Sequence, residues 1–214
     1  MRKRTLAVLL TLALSASCLG GCGSSEKDDE TKVAVNSEED AEEEESKTSA
    51  VSMIRTANSD TVNLNGQDVY MEDTSISWVK IATIWDPELI LYDATSFVQG
   101  SKAVAVTFEV SDMDVDPTTC YWNYMIADSE GNEISCWDTS YKTDDVEITG
   151  DGKYQMVFEC SKVEGGDVAE LKSLQLVFPG MKADTTTKVK VTEAVCISDE
   201  AELGTVYKTG KVEE

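Results

Sequence analysis

The chain contains no histidine among its 214 residues. This absence excludes catalysis by Ser-His-Asp or Cys-His groups, and it excludes histidine-ligated metal centres. Basic side chains are also scarce, because 18 Lys and Arg stand against 41 Asp and Glu and leave a formal net charge of -23. Binding to nucleic acid requires clustered Lys and Arg, so we expect no nucleic-acid partner.

The start of the chain has the composition of an export signal. Met1-Arg2-Lys3-Arg4 is followed by an apolar run from Leu6 to Leu14, which is too short to span a bilayer. Leu19-Gly20-Gly21-Cys22 follows and resembles the bacterial lipobox. The resemblance implies that residues 1–21 are a lipoprotein signal peptide and that Cys22 becomes the lipidated N-terminus. The alternative is an ordinary cleaved signal with an incidental Cys22.

Two acyl chains on Cys22 would anchor the protein stably to a membrane. We therefore expect a Gram-positive type of lipoprotein, held on the extracytoplasmic face of the cell membrane. Residues 22–58 are predicted to form a disordered acidic linker, since residues 22–50 contain eleven carboxylates, three Lys and no aromatic side chain. Such a segment is either a spacer extended by charge repulsion or a solvated tail with no required length.

Residues 59–198 form one domain in this prediction, and residues 199–214 form a flexible acidic tail. Apolar residues alternate with other residues along 102–110, and the same period of two recurs in later segments. Turn residues such as those at 128–132 separate these segments. The pattern predicts an all-β fold, an antiparallel β-sandwich of about eight or nine strands with jelly-roll or immunoglobulin-like topology. A helical turn is expected at most near residues 168–171.

Four cysteines remain in the predicted domain: Cys120, Cys136, Cys160 and Cys196. They allow three disulfide pairings. Cys120 and Cys136 flank one predicted hairpin, but a turn centred on Glu130 places Cys136 opposite Tyr124, so the pairing would need a bulge. The alternatives are four reduced, buried thiols in an anaerobic organism and a zinc site, which would lack the usual closely spaced Cys pairs.

Asp112, Asp114 and Asp116 alternate in one loop and suggest calcium binding. The EF-hand motif fails, because Pro117 stands where that motif requires Gly and Asn123 stands where it requires Glu. A calcium site of another type, or a solvated acidic turn, remains open. We predict no metal site and no cofactor.

Aromatic residues are the remaining lead to a function. Sugar rings present apolar faces to aromatic planes, and their hydroxyls need nearby Asp, Asn or Gln. In the segment 118–127, Trp122 and Tyr124 share a face with apolar residues and are predicted to lie in the core, whereas Tyr121 points the other way. Trp137 is in phase with Ser135, which predicts an exposed ring.

We therefore predict that four residues contact a ligand: Tyr121, Trp137, Tyr141 and Asp138. The two remaining tryptophans, Trp78 and Trp85, are assigned to the core.

Four short segments carry a resemblance to a known family: Gly100-Ser101-Lys102-Ala103, Tyr124-Met125-Ile126-Ala127-Asp128, Gly150-Asp151-Gly152-Lys153-Tyr154 and Leu174-Gln175-Leu176-Val177-Phe178. They are similar to jelly-roll carbohydrate-binding-like domains appended to cellulases of gut and rumen Firmicutes, over roughly residues 75–197. The resemblance implies a non-catalytic, glycan-binding sandwich. None of these segments transfers a ligand-binding residue to this chain.

Three hypotheses about function follow. The first is a membrane-anchored lipoprotein that presents a non-catalytic binding domain for glycans or another extracellular ligand. The second is an immunoglobulin-like protein-interaction or envelope-assembly lipoprotein without sugar binding. The third is a glycosidase, but no pair of carboxylates stands out among so many, so we expect that the protein is not an enzyme.

Overall fold

The alternating segments form two antiparallel sheets in the computed structural model, which describes residues 48–71, 74–85, 90–137, 145–163 and 165–213. The described residues form twelve strands: β1 (Val51–Ser52), β2 (Thr61–Asn63), β3 (Asp68–Met71), β4 (Thr74–Thr83), β5 (Ala103–Ser111), β6 (Thr118–Ala127), β7 (Glu133–Ser135), β8 (Val146–Ile148), β9 (Gly152–Glu159), β10 (Glu170–Met181), β11 (Lys188–Ile197) and β12 (Gly210–Lys211). The signal segment, Cys22 and the acidic run up to residue 47 lie outside the described residues.

The first sheet has the strand order β1-β11-β5-β9-β12, and β2 also pairs with β11. The second sheet has the order β3-β4-β10-β6-β7, and β8 also pairs with β6. The two sheets pack face to face, which confirms the predicted all-β sandwich. All described strands belong to a unit that spans Glu45–Glu214, so we take this segment as the folding domain.

Aromatic rings from both sheets fill the space between them. Phe108 of the first sheet stacks on Tyr154, with 5.9 Å between ring centroids, and meets Phe178 of the second sheet edge-on at 6.0 Å. Phe158 of the first sheet contacts Tyr124 of the second at 4.9 Å. These rings are almost fully buried, so their contacts hold the two sheets together.

The core positions of Trp122 and Tyr124 were predicted correctly, because both side chains are buried between the sheets. The Trp122 Nε1–H has no hydrogen-bond partner among the described residues. The predicted hairpin register is also confirmed, since Met125 pairs with Ser135 and the Cys136 N–H donates to the Tyr124 carbonyl at 3.2 Å.

Three expectations about the chain's organisation were wrong. The predicted linker 22–58 runs too far and the domain begins before residue 59, because β1 pairs with β11 and Met53 is buried in the core. Residues 167–169 form no helical turn, because β10 begins directly after them at Glu170. Residues 199–213 are not a flexible tail: β12 pairs with β9, and Tyr207 is buried. Short 3-10 turns occur instead at Ala94–Ser96, Cys160–Lys162 and Glu200–Glu202 in the described chain.

The outer face of the first sheet is covered by these terminal segments. A second apolar cluster joins Tyr207 to small and aliphatic side chains of the sheet, which are Ala103, Ala105, Val157, Val195 and Ile197. Ala50 and Leu203 pack against this cluster from the two ends of the domain. The ends are also joined directly, because the Ser49 N–H and hydroxyl donate to the two carboxylate oxygens of Glu202 at 2.7 and 2.9 Å.

Candidate functional site

The outer face of the second sheet presents a row of aromatic side chains. Strand β10 lies between β4 and β6, and Val177 of β10 pairs with Trp78 on one side and with Tyr121 on the other. Residues paired across a sheet point to the same face, so the three side chains form a line across the strands. Val177 is fully buried while both flanking rings are half-buried. The neighbouring side chains, the two rings among them, therefore cover Val177.

A polar row runs beside the aromatic row. Gln175 of β10 pairs with Lys80 of β4 and with Asn123 of β6. Gln175 lies two positions before Val177, so both point outwards and the two rows are neighbours on one face. The Gln175 Nε2 also donates to the Ser173 hydroxyl at 3.3 Å. Each side-chain amide can both donate and accept hydrogen bonds, as sugar hydroxyls require.

The ring of Trp78 is held by the neighbouring edge of the sheet. Its Nε1–H donates to the Asp68 carboxylate at 2.7 Å, and the Gln67 Nε2 donates to the Trp78 carbonyl at 3.3 Å. A Trp ring fixed in this way offers its apolar face to a ligand with little loss of rotamer freedom.

Gly66 determines where Gln67 and Asp68 stand. Its backbone has a positive φ of 58°, and its N–H donates to the buried Ser77 hydroxyl at 2.8 Å. An added Cβ would lie 2.8 Å from the Ser75 Cβ and 2.9 Å from the Met181 carbonyl oxygen. Only glycine fits this turn between the sheets without strain.

Together these side chains line a shallow depression of about 390 Å³, formed by Gln67, Asp68, Trp78, Lys80, Asn123 and Gln175. We call it the outer groove. One Lys and one Asp contribute one charge of each sign, and the remaining lining is amide and indole. The outer groove thus combines an apolar ring face with several hydrogen-bonding groups, a combination that suits a polar ligand with apolar faces.

Trp137 belongs to a segment next to the outer groove. The Cys136 thiol donates to the Asn123 Oδ1 at 3.1 Å, which brings the end of β7 against the polar row. The Trp137 N–H donates to the Ser135 hydroxyl at 3.3 Å, and 80% of the side chain is exposed. The predicted exposure of Trp137 is confirmed, although it lies beside the outer groove rather than in its lining.

The other predicted contact residues divide into two groups. Tyr121 lies on the outer face, as its phase predicted, and it stands in the aromatic row beside the outer groove rather than in its lining. Tyr141 and Asp138 lie outside the described residues.

Two assignments to the core were wrong. Trp78 lies on the outer face, and Trp85 is 55% exposed beyond the end of β4. A sequence signal for Trp78 existed, because it is in phase with Lys80 and out of phase with the buried Val79 and Ile81.

All four cysteines of the domain are free thiols. Burial raises the pKa of the Cys160 thiol to about 12, and it also raises the pKa of the Cys120 and Cys196 thiols. These three groups therefore stay protonated near neutral pH and act as small apolar core residues. The hairpin does not join Cys120 to Cys136, because its register sets Cys136 opposite Tyr124, four residues along β6 from Cys120, and the Cys136 thiol contacts Asn123.

The acidic loop between β5 and β6 makes internal contacts. Asp114 accepts hydrogen bonds from the hydroxyls of Thr185 and Thr187 and from the Thr186 N–H, and these bonds lower its pKa to about 2. Asp112 pairs with the Lys188 ammonium at 2.7 Å. The loop therefore fastens the connection between β10 and β11.

Within the described ranges, no group of three or more Cys, Asp or Glu side chains is placed to hold a metal ion. The same ranges contain no helix with the length and apolar character needed to cross a membrane. Compared with known proteins, the chain matches no family model, no curated protein and no solved structure.

Proposed function

We propose that this protein is a lipoprotein, anchored through Cys22 on the extracytoplasmic face of the membrane, whose sandwich domain binds glycans in the outer groove. The observation that carries the proposal is the aromatic row of Trp78 and Tyr121 beside the polar row of Lys80, Gln175 and Asn123. The lipobox-like Leu19-Gly20-Gly21-Cys22 supports the anchoring.

The outer groove suits binding better than catalysis. It is shallow and open, and Asp68 is the one carboxylate among its lining residues. Glycoside hydrolysis uses two carboxyl groups about 5 to 10 Å apart on either side of the scissile bond. A groove of this kind would hold a sugar by stacking and hydrogen bonds without cleaving it.

A glycan-array screen with the Glu45–Glu214 domain tests the proposal. We expect saturable binding to at least one plant, host or bacterial-wall glycan, and we expect Trp78→Ala to abolish it and Tyr121→Ala to weaken it. Trp85→Ala is the matched control, because this exposed tryptophan lies outside the outer groove. Full binding by the Trp78→Ala variant would overturn the site, and the absence of binding across the array would overturn glycan recognition.

A protein partner is the second candidate, and an exposed sheet edge favours it. Strand β3 is at one edge of the second sheet, and Val69 on it is 75% exposed. An edge strand with unpaired backbone groups can accept a strand from another protein. Val69→Lys would block such a partner while it left glycan binding unchanged, so pull-down experiments with this variant separate the two functions.

A further inference from the structure

We infer that the ligand of the outer groove is an uncharged, linear glycan that lies across the strands and is contacted through at least two successive sugars. This inference rests on the proposed glycan binding and specifies its ligand. Three features carry it: the direction of the two rows, the distance between Trp78 and Tyr121, and the balance of charge in the outer groove.

The direction of the ligand follows from strand pairing. The aromatic row and the polar row each take one residue from β4, one from β10 and one from β6. Both rows therefore cross the strands, and they run side by side. A glycan chain that follows them stacks along the aromatic row and offers its hydroxyls to the polar row.

The length of the contact follows from the spacing of the strands. Trp78 and Tyr121 are two strands apart, which separates their backbones by about 10 Å. One sugar ring is too small to cover both aromatic rings at this separation. Val177 pairs with both residues and is fully buried, so a ligand contacts the side chains that cover Val177 and not Val177 itself. Two half-buried rings on the same face, one on each side of β10, favour consecutive sugars of a chain.

The charge of the ligand follows from the charge of the protein. The lining of the outer groove carries one Lys and one Asp and so has no net charge of its own. Around it, residues 51–214 contain 30 acidic and 12 basic side chains, a net charge of about -18. An anionic glycan would be repelled by this field at low salt, whereas a neutral glycan is unaffected.

Titration with defined oligosaccharides tests the inference, with tryptophan fluorescence of the Glu45–Glu214 domain as the readout. The neutral probes are the xylo-, cello- and manno-oligosaccharide series from one to six sugars, together with any neutral series found on the array. The anionic probes are oligogalacturonides of the same lengths. We expect affinity for one neutral series to rise at least about tenfold from one to three sugars, with no dependence on salt.

Variants assign this gain in affinity to the two rings. Tyr121→Ala should remove the gain from the second sugar, and Trp78→Phe should keep most of the binding because it retains an aromatic face. Trp85→Ala should behave as the unmodified domain. Trp78→Phe also controls for misfolding of Trp78→Ala, because phenylalanine keeps an aromatic ring at this half-buried position.

Three outcomes would overturn the inference. A single sugar that binds as tightly as the longer chain would contradict the two-sugar contact while the proposed function stood. Tighter binding of oligogalacturonides, weakening as salt is added, would contradict an uncharged ligand and would also leave glycan binding intact. No binding by any glycan would overturn the proposed function, and the inference with it.

Discussion

On the outer face of the first sheet, Ala103 and Ala105 lie beneath Tyr207 and Leu203, which the C-terminal segment lays over the strands. On the outer face of the second sheet, Val177 is buried between Trp78 and Tyr121, which belong to the same sheet. Small side chains on the first sheet leave room for a covering segment. On the second sheet, Trp78 and Tyr121 help to cover Val177 and remain half-exposed to solvent.

Under the proposed function, this difference separates a face that stabilises the fold from a face that binds a ligand. A face covered by another part of the chain contributes apolar burial to folding and has nothing left to offer a ligand. A face that carries half-exposed rings can bury more apolar area when a ligand binds. The rings are already ordered in the folded domain, so binding loses little further side-chain entropy. Removing side chains from the two faces should therefore affect different measurements.

The largest expected effect is on the covered face. Tyr207→Ala should lower the free energy of unfolding by about 3 kcal/mol, because it empties the centre of the second apolar cluster. Urea unfolding of the Glu45–Glu214 domain measures this loss. The matched variant Tyr121→Ala on the open face should cost under about 1 kcal/mol. Equal losses from the two tyrosines would show that the two faces do not differ in this way.

A smaller loss is expected where the chain crosses between the sheets. Gly66→Ala should cost about 2 kcal/mol, because alanine at a φ of 58° places its Cβ against Ser75 and the Met181 carbonyl. It should also weaken ligand binding, since Gln67 and Asp68 follow directly. Gly131→Ala is the control: it too has a positive φ, but no atom lies within 4 Å of the added Cβ. If both variants lost the same stability, crowding at Gly66 would not matter.

The contact between the ends of the domain should contribute less again. Ser49→Ala keeps the backbone N–H bond to Glu202 but removes the hydroxyl. The hydroxyl donates to Glu202 and accepts from the Ser198 and Asp199 N–H groups, so we expect a loss of about 1 kcal/mol. Amide hydrogen exchange should speed up at residues 198–203 and stay unchanged on β4 and β6. Faster exchange on β6 would mean that the cover and the open face are coupled.

The smallest expected effect is on the stability of the fold at acid pH, and it involves neither outer face. The pKa of Asp114 is lowered from 3.8 to about 2 by its hydrogen bonds to Thr185 and its neighbours, so the charged form stabilises the folded domain. This contribution is complete above about pH 4 and is lost as the pH falls towards 2. Asp114→Asn should flatten the acid limb of a pH–stability curve in this window. An unchanged curve would exclude a stabilising role for this carboxylate.

Local pattern was enough to predict much of the fold. Period-two alternation identified the strand at 102–110, and the turn at 128–132 gave the register that sets Cys136 opposite Tyr124. Both are properties of neighbouring residues. The same reasoning placed Trp122 and Tyr124 in the core and Tyr121 outside it.

The outer groove could not be predicted in the same way, because it depends on strand order. Nothing local shows that β10 inserts between β4 and β6, so Gln175 and Val177 gave no sign of lying between Trp78 and Tyr121. Trp78 itself was assigned to the core, although its phase indicated otherwise. The long-range pairing of strands is what brings the site together.

The C-terminal segment was missed for a different reason. Its acidic composition predicted a tail, but Asp199 caps a short turn by accepting from the Ala201 N–H at 2.9 Å. Asp199 and Glu202 stand three residues apart, which is the spacing of a helix-capping pair. A short segment with one buried tyrosine shows too little periodicity to be recognised by pattern alone.

The bond between Ser49 and Glu202 also decides where the domain bears mechanical load. Any pull on the chain before residue 49 reaches the folded part first through Ser49, whose hydroxyl also accepts from the Ser198 and Asp199 N–H groups. The two-residue strand β1 comes next, paired with β11 at Val51 and Ser52. A domain that gripped a fixed polymer while tethered from this end would yield there first, with its groove still intact.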